Sequence, residues 1–410
     1  MVKLYLIFID IIVPIILGFF VTSLVTNGHL LPYVVFGLVV VMYSIVKGFY
    51  EKYYSIHFSE KIKISFATSS VSIFVQLSYY SYYSIDIDLF IVASWVLIPI
   101  IILTLRYVFK RISKSINDVT ISIIGNLYKF DHLEIEILKN KKFKINFYDD
   151  LNHYLSDSVA KPEISKLAVI NLSSVTAQDN NVLSSINSIS LGKFMENYLR
   201  KVYIDDKTSD NDINKYSKSD MLFKRLIDFI AIIVLFPVLI LTSIYVIFAK
   251  FLNGYGGSFI YLQERYGKSQ NIFLLFKFRT MHRDSDSQGN TTINDKRIYP
   301  FANVLRKFRL DELPQIINII FGDMHLVGPR AEWIKLSDEY SKKIDNYYLR
   351  NIVRPGLTGW AQVLYQYGFD VKDSKQKLMY ELYYIKNWTV WLELEICIKT
   401  ILVILDKKGF

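Results

Sequence analysis

The stretch LIDFIAIIVLFPVLILTSIYVIF, residues 226–248, carries the pattern that decides the fold class. It is long and apolar enough to cross the roughly 30 Å hydrocarbon core of a bilayer. Lys224 and Arg225 precede it and Lys250 follows it. Because basic flanks stay on the cytoplasmic side, both ends are predicted to lie there. Pro237, at the centre, removes a helical hydrogen bond and bends the chain. The pattern favours a re-entrant helix–break–helix over residues 224–250, and a single proline-kinked span is the alternative.

Further apolar runs precede this segment in the N-terminal part of the chain. They lie at residues 4–25, 31–50, 65–83 and 89–109. Each is close to the ~20 residues that a membrane-spanning helix needs. Lysines occur in the segment 47–63, whereas the links at 26–30 and 84–88 carry no Lys or Arg. Residues 1–112 are therefore predicted to form a four-helix transmembrane bundle with both ends in the cytoplasm.

Strand-like runs indicate a separate domain in the middle of the chain. They are DVTISIIG (118–125), LEIEIL (133–138), FKINFY (143–148) and KLAVINL (166–172). With helical patterns between some of them, they predict a small Rossmann-like α/β domain over 113–204 with a partly parallel sheet. Gly125 does not complete a G-x-G-x-x-G motif, so the domain is interpreted as structural or regulatory rather than as a dinucleotide site. Residues 205–220 are polar, lack an apolar period and are predicted to be a linker.

The composition is typical of a membrane protein that handles phosphate. Of 410 residues, 52% are hydrophobic, and the formal net charge is +10. A basic balance fits an anionic membrane surface, nucleic acid or a phosphorylated substrate, and the apolar runs favour membrane and phosphate over nucleic acid. The one cysteine, Cys397, excludes an internal disulfide and a Cys/His zinc site.

Two adjacent carboxylates stand out in the C-terminal third, in RLDELPQ (309–315). Pro314 suits the first position of a helix, so Asp311 and Glu312 are predicted at a helix N-terminus, where phosphate is favoured. A carboxylate that attacks a phosphate needs cations to screen the repulsion between two anions. Arg306, Arg309 and Arg330 are candidates for this screening. The alternative is that both acids only complement the helix dipole, which contributes about 0.3–1 kcal/mol.

Two glycine-containing turns could bring the backbone close to an anionic ligand. They are GPR (328–330) and RPGLTGW (354–360). A rigid turn that carries Arg330 or Arg354 fits anion binding. Ordinary surface turns are the alternative for each. The GKS at 267–269 lacks the upstream glycine of a P-loop, because residue 262 is Leu262.

Taken in order, a set of motifs resembles the bacterial sugar transferases, the polyprenyl-phosphate hexose-1-phosphate transferases or monotopic phosphoglycosyl transferases. The motifs are KR (224–225), QERYGK (263–268), KFRTM (277–281), LRKFRLDELPQ (305–315), GDMHLVGPR (322–330), RPGLTGWAQV (354–363) and YELYYIKNW (380–388). The resemblance covers 221–410, which is expected to be an α-rich catalytic domain. The N-terminal half is similar in layout to the long, initiating members of the family.

This resemblance implies a reaction. A UDP-sugar would donate sugar-1-phosphate to polyprenyl (undecaprenyl) phosphate, releasing UMP and starting the synthesis of a surface polysaccharide such as an exopolysaccharide, capsule or O-antigen. Asp311 would be the nucleophile that forms a phosphosugar–enzyme intermediate, and Glu312 its partner. Mg²⁺ would be required, with Asp311 and Glu312 as its ligands. The basic residues expected to bind substrate phosphates are Lys277, Arg279, Arg306, Arg330 and Arg354.

The resemblance also implies a location. The catalytic domain would lie on the cytoplasmic face of the bacterial inner membrane, on a multi-pass chain, where it meets the lipid-linked phosphate. The aromatic residues Tyr383, Tyr384, Trp388 and Trp391 would lie either at headgroup level or in the protein core. A homo-oligomer is compatible with the sequence, and the sugar is left open.

Two rival functions follow from the same residues. A membrane glycosyltransferase that extends a lipid-linked saccharide would release UDP instead of UMP. The acid pattern DSD at 284–286 is a weak feature of that class. A non-enzymatic membrane scaffold would keep its function without Asp311.

Overall fold

The computed structural model describes residues 2–25, 31–46, 58–82, 92–94, 97–102, 104–105, 119–125, 128–140, 143–160, 167–170, 188–204, 216–253, 257–282, 297–365, 368 and 370–405. The chain divides into two compact units, Met1–Ser188 and Ile189–Phe410. The links at 26–30 and 84–88, most of the predicted linker and the DSD pattern fall outside the described residues.

Apolar helices make up the first part of the N-terminal unit. They are α1 (Val2–Val25), α2 (Leu31–Val46) and α3 (Phe58–Tyr82). Residues 92–94, 97–102 and 104–105 are also helical. A core cluster joins α1 and α2 to these last helical residues through Ile9, Phe36 and Ile98. Helices α1, α2 and α3 overlap the first three predicted apolar runs, and the described helical residues between 92 and 105 lie within the fourth.

The rest of the N-terminal unit is a parallel sheet with helices. Its central strand, β1 (Val119–Ile124), pairs in parallel with both β2 (Phe143–Tyr148) and β3 (Leu167–Ile170). The helices are α4 (His132–Asn140) and α5 (Leu151–Ala160). A short strand, β4 (Ser188–Ser190), lies at the division between the units. The strands predicted around 118–125, 143–148 and 166–172 are present.

The prediction of a strand at LEIEIL (133–138) is wrong, because these residues lie within α4. Asp131 and Glu134 cap the helix reciprocally: the Glu134 backbone N–H donates to Asp131 Oδ1 (2.7 Å), and the Asp131 N–H donates to the Glu134 carboxylate. Glu134 and Leu138 are buried, four residues apart on one helical face. The alternation of leucine, isoleucine and glutamate was therefore not a strand pattern.

The C-terminal unit is rich in helices. Its helices are α6 (Leu191–Phe194), α7 (Lys218–Leu252), α8 (Ala302–Lys307), α9 (Gln315–Phe321), α10 (Ile334–Ser341), α11 (Trp360–Leu364), α12 (Val371–Lys386) and α13 (Val390–Leu405). Its strands form two pairs, antiparallel β5 (Ile260–Tyr266) with β6 (Ile272–Phe278) and parallel β7 (His325–Val327) with β8 (Gly356–Thr358). The predicted location of α-rich structure after residue 221 therefore matches the described elements.

A segment that the sequence analysis assigned to the α/β domain belongs with this C-terminal unit. Arg200 forms a bidentate ion pair with Glu395 on α13, with N–O distances of 2.8 and 2.9 Å. The guanidinium also lies 4.3 Å from the centre of the Trp360 ring. The Val202 N–H donates to the Met379 carbonyl. The unit therefore begins near Ile189 rather than after the linker.

The longest helix, α7, is continuous through Pro237. The predicted helix–break–helix is wrong in this respect, because the proline lies inside an uninterrupted helix. Within the described residues, α7 is the one helix long and apolar enough to cross a membrane. Most of its surface is exposed and apolar, including Phe229, Leu241 and Phe248.

One face of α7 packs on the rest of the C-terminal unit along its length. Near its start, Lys224 is buried and donates to Glu393 Oε1 (2.8 Å) and to the Val327 carbonyl (2.9 Å). In its second half, Leu239 and Val246 join a core cluster with residues from β6, α8 and α9. Near its end, Lys250 donates to the carbonyls of Gly257 and Ser258.

Tyr383 and Tyr384, for which the sequence allowed either headgroup level or the protein core, are core residues. Tyr383 is 8% exposed and Tyr384 is 1% exposed. The Tyr384 hydroxyl donates to the Val327 carbonyl, and Lys224 donates to that hydroxyl.

Candidate functional site

The two adjacent carboxylates lie on a short 3₁₀ turn, Leu310–Glu312, between α8 and α9. Arg309, just before it, adopts a left-handed conformation with φ 55° and reverses the chain after α8. Pro314 has helical dihedral angles and directly precedes α9. This geometry places both carboxylates ahead of the N-terminus of α9, as the sequence pattern predicts.

Glu312 is held by two cations that come from different elements. Lys277 on β6 places Nζ 2.9 Å from Glu312 Oε1, and Arg330 places Nη2 3.2 Å from the same oxygen. The Glu312 side chain is 11% exposed. Burial alone would raise the pKa of Glu312, but Lys277 and Arg330 outweigh it and hold that pKa far below its usual value. Glu312 is therefore a fixed anion at neutral pH.

Asp311 is in a different state. It is half-buried, and its carboxylate makes no ion pair or hydrogen bond with another residue in the described part of the chain. Burial, and then the negative charge of Glu312, raise the pKa of Asp311 to about 6, against the lowering effect of Lys277 and Arg306. The pair thus combines one carboxylate neutralised by cations with one that is available to react.

Close backbone contacts between two glycine turns fix the position of Arg330. The Gly328 N–H donates to the Thr358 carbonyl, and the Gly356 N–H donates to the Pro329 carbonyl. A Cβ atom on Gly356 would lie 2.0 Å from the Gly328 nitrogen. No side chain fits at this contact, so the glycines are required by packing. The turns are structural, and the arginine they carry points to Glu312.

Behind Arg330 lies a buried polar network that the sequence analysis missed. Arg350 donates to Glu381 (2.7 Å) and to the Arg330 carbonyl (3.0 Å), while the Arg330 N–H donates to Glu381 (3.1 Å). Arg265 donates to the Ala331 carbonyl (3.0 Å). These groups are distant in sequence, and Arg350 lies in no recognised motif. Glu381 in YELYYIKNW and Arg265 in QERYGK lie within recognised motifs, and only these positions could have indicated the network.

The other predicted basic residues lie in different surroundings. Arg306 is close enough for its charge to lower the pKa of Asp311. Arg279 lies over the Tyr261 ring, 5.4 Å from its centre. Arg354 interacts electrostatically with Arg225, Asp228 and Asp323 rather than with the carboxylate pair. The structure thus brings Lys277, Arg306 and Arg330 to the carboxylates but not Arg354.

Mg²⁺ is the ion that the family resemblance implies at Asp311 and Glu312. Among the described residues, no group of three or more His, Cys, Asp or Glu side chains could hold a metal ion. Mg²⁺ usually keeps several waters and uses one or two carboxylates together with substrate phosphates. Asp311, together with Glu312 Oε2, which the bonds to Lys277 and Arg330 leave unused, fits that pattern.

Comparison with known proteins identifies the family. The sequence model of the bacterial sugar transferases matches residues 219–407. The chain is 35% identical over 192 residues to the uncharacterized sugar transferase EpsL of Bacillus subtilis, covering 46% of this chain and 90% of that protein. The chain belongs to the bacterial sugar transferase family. The family resemblance inferred from the motifs is confirmed.

Other relatives are named for the reaction that they catalyse. The UDP-N-acetylgalactosamine-undecaprenyl-phosphate N-acetylgalactosaminephosphotransferase of Aeromonas hydrophila is 42% identical over 155 residues, which cover 37% of each chain. The UDP-glucose:undecaprenyl-phosphate glucose-1-phosphate transferase of Xanthomonas campestris is 40% identical over 161 residues, 37% of this chain and 32% of that protein. The chain thus aligns with only about a third of the length of these sugar transferases.

Proposed function

We propose that this sugar transferase moves sugar-1-phosphate from a UDP-sugar to undecaprenyl phosphate and releases UMP. The relatives named for this reaction support the substrate class, and they differ in the sugar they transfer. The observation that carries the proposal is the asymmetric carboxylate pair. Glu312 is bound by two cations, whereas Asp311 is available to attack.

In the proposed first step, an oxygen of ionised Asp311 attacks the phosphorus that is bonded to the sugar. The bond between that phosphorus and the UMP oxygen breaks, and UMP leaves with the electron pair. An oxygen of undecaprenyl phosphate then attacks the same phosphorus. The Asp311–phosphorus bond breaks, which restores the carboxylate and yields undecaprenyl-diphospho-sugar.

Positive charge makes the attack of one anion on another feasible. Arg306 and Arg330 are proposed to bind the phosphate oxygens, and Lys277 and Arg279 to contribute to the same field. Mg²⁺ held by Asp311 and Glu312 would supply further charge neutralisation on the phosphates. The buried network of Arg350 and Glu381 supports Arg330 from behind and keeps its backbone in place.

The surface of α7 supports the membrane placement. A straight helix of 35 residues would be about 52 Å long, yet Lys224 near its start and Lys250 near its end both bind backbone carbonyls of one compact unit. Because α7 is helical throughout, we propose that it bends at Pro237 without a break, enters one leaflet and keeps both of its ends on the same side of the bilayer. Its exposed apolar face would lie in the lipid, with the catalytic unit on the cytoplasmic face.

The N-terminal unit is proposed to anchor the chain with four transmembrane helices and to carry a Rossmann-like domain with a structural or regulatory role. With this topology, the product would form on the cytoplasmic leaflet of the inner membrane. It would serve there as the first lipid-linked unit of a surface polysaccharide.

Asp311→Asn provides the decisive test. Membranes containing the chain are incubated with radiolabelled UDP-glucose or UDP-N-acetylgalactosamine, with and without undecaprenyl phosphate. The native chain should release UMP and, without acceptor, retain label on the protein. Asp311→Asn should lose both signals.

Asp345→Asn serves as the matched control, because Asp345 is an exposed aspartate in the same unit and should behave as the native chain does. Release of UDP instead of UMP would indicate the glycosyltransferase reaction. Full turnover by Asp311→Asn would refute the proposed nucleophile.

A further inference from the structure

A pocket lies at the base of α7, and the carboxylate pair does not line it. It is a cavity of about 360 Å³ whose lining includes Lys268, Gln270, His325, Tyr348, Asn351 and Arg354. We call it the α7-base pocket. Neither carboxylate of the pair lines it, and neither do Lys277 and Arg330.

The charge of the α7-base pocket is positive. None of the described residues that line it is acidic, whereas Lys268 and Arg354 are both cationic. Neither of these two side chains forms a hydrogen bond or ion pair with another residue in the described part of the chain. Two basic side chains without a direct partner, on the wall of one cavity, are suited to an anion.

His325 adds a buried polar group to the same wall. It is 3% exposed, and its Nδ1 lies 2.6 Å from Asp228 Oδ2. The Asp228 carboxylate accepts a hydrogen bond from Nδ1 and so fixes the orientation of the ring. This leaves Nε2 without a hydrogen-bond partner among the described residues. Asp228 also accepts the Leu326 N–H at 2.7 Å, so both oxygens of this carboxylate are already occupied.

The position of the pocket indicates where its ligand comes from. Met221, in the first turn of α7, lines the pocket and is 42% exposed. The next residues, Leu222 and Phe223, are 72% and 50% exposed and begin the apolar surface of the helix. If that surface lies in lipid, the pocket lies where the apolar region begins, which is the depth of phospholipid headgroups.

We propose that the α7-base pocket binds the phosphate of an anionic phospholipid headgroup. Arg354 and Lys268 would contact the phosphate oxygens, and Asn351 and Gln270 offer further donors. His325 Nε2, an acceptor while Nδ1–H is donated to Asp228, would accept from a hydroxyl of the headgroup. Arg354 is therefore assigned to this lipid site rather than to the donor or acceptor of the transfer reaction. The inference rests on the membrane placement of α7 but not on the transferase reaction.

The test measures binding and not turnover. The full-length chain in neutral detergent is titrated with phosphatidylglycerol, and retained lipid is counted by native mass spectrometry. The native chain should retain one tightly bound lipid. The double variant Lys268→Gln/Arg354→Gln should need at least tenfold more lipid for the same occupancy.

Lys342→Gln is the matched control for loss of one positive charge, because Lys342 is exposed and does not line the pocket. It should retain lipid as the native chain does. Arg354→Lys keeps a cation in the pocket and should retain most of the binding, and thermal unfolding confirms that each variant is folded. Equal retention by the double variant and the native chain would overturn the proposal.

Two soluble competitors separate the sources of the phosphate. Inorganic phosphate at tens of millimolar should displace phosphatidylglycerol only partly, because it lacks the lipid chains. Displacement by micromolar UMP would assign the pocket to the nucleotide and overturn the lipid site. Binding of inorganic phosphate without any retained phosphatidylglycerol would do the same. Either failure would leave the transferase proposal standing, since no step of the assay involves turnover.

Discussion

Removing the charge of Lys277 is expected to move the pH at which the enzyme becomes active. Lys277 pairs with Glu312 at 2.9 Å and also lowers the pKa of Asp311. In the native chain the pKa of Asp311 is raised to about 6. Since the proposed nucleophile must be ionised to attack, activity should rise with pH through that value and be almost complete at pH 7.

The size of the shift follows from the charges around the pair. An opposite charge within a few ångströms lowers a carboxyl pKa by about 1–3 units, so Lys277→Gln should raise the pKa of Asp311 by about one unit. At pH 7 the ionised fraction would then fall from about 90% to about 50%, and at pH 5 from about 9% to about 1%. The variant should therefore lose about twofold from ionisation at pH 7 and about tenfold at pH 5, in addition to any loss of phosphate binding.

The assay follows initial UMP release between pH 5 and pH 9 at low donor concentration, so that kcat/KM reports the free enzyme. The position of the acidic limb is compared between variants, because a lost phosphate contact lowers the whole curve without moving it. Lys307→Gln, at an exposed lysine on α8, should leave the limb in place. An acidic limb below pH 5 in the native chain, or an unmoved limb in Lys277→Gln, would refute the assignment of the limb to Asp311.

Other substitutions test the surroundings of the carboxylate pair. Glu312→Gln removes the negative charge beside the nucleophile, so the acidic limb of its residual UMP release should move below that of the native chain, opposite to the lysine variant. Arg350→Met leaves a buried carboxylate unpaired and should lower the free energy of unfolding by about 3–5 kcal/mol; Lys343→Met, in an exposed pair, should cost less than about 0.5 kcal/mol in the same denaturation experiment. Gly356→Ala forces a backbone contact apart and should destabilise by about 2–3 kcal/mol or more, whereas Gly192→Ala, with no atom within 4 Å of the added carbon, should be tolerated in the same thermal melt.

Local sequence signals predicted those parts of the fold that local chemistry determines. The run FKINFY, rich in aromatic residues, forms β2 over the predicted residues. The apolar run around Pro237 is helical, although as one continuous helix rather than the predicted helix–break–helix. The prediction of a strand at LEIEIL was wrong because the helix is started by the reciprocal cap of Asp131 and Glu134, and Asp131 lies outside the alternating run. A proline breaks a helix in some contexts and only bends it in others. The presence of Pro237 alone therefore could not decide the shape of α7.

The candidate site divides in a similar way. Asp311, Glu312 and Arg330 were found because they lie within motifs, and the structure joins the last two directly. The partners behind Arg330 come from distant segments and are selected by tertiary packing, which no local pattern encodes. For the same reason, the turn that carries Arg354 indicated that this residue binds a phosphate but could not indicate which phosphate. The interactions of Arg354 with Asp228 and Asp323 place it elsewhere.

The contacts of α7 indicate that this candidate membrane helix supports the candidate site. Lys224 binds the Val327 carbonyl, while Asp228 binds His325 and the Leu326 N–H. Two side chains one turn apart on α7 thus contact all three residues of β7. The chain then passes from β7 through Gly328 and Pro329 to Arg330, which holds Glu312. Lys224 and Glu393 each have side chains only 1% exposed, and separating such a pair typically costs about 3–5 kcal/mol. A C-terminal unit without α7 would lose the support of the strand that leads to Arg330, so the candidate site depends on the packing of the candidate membrane helix.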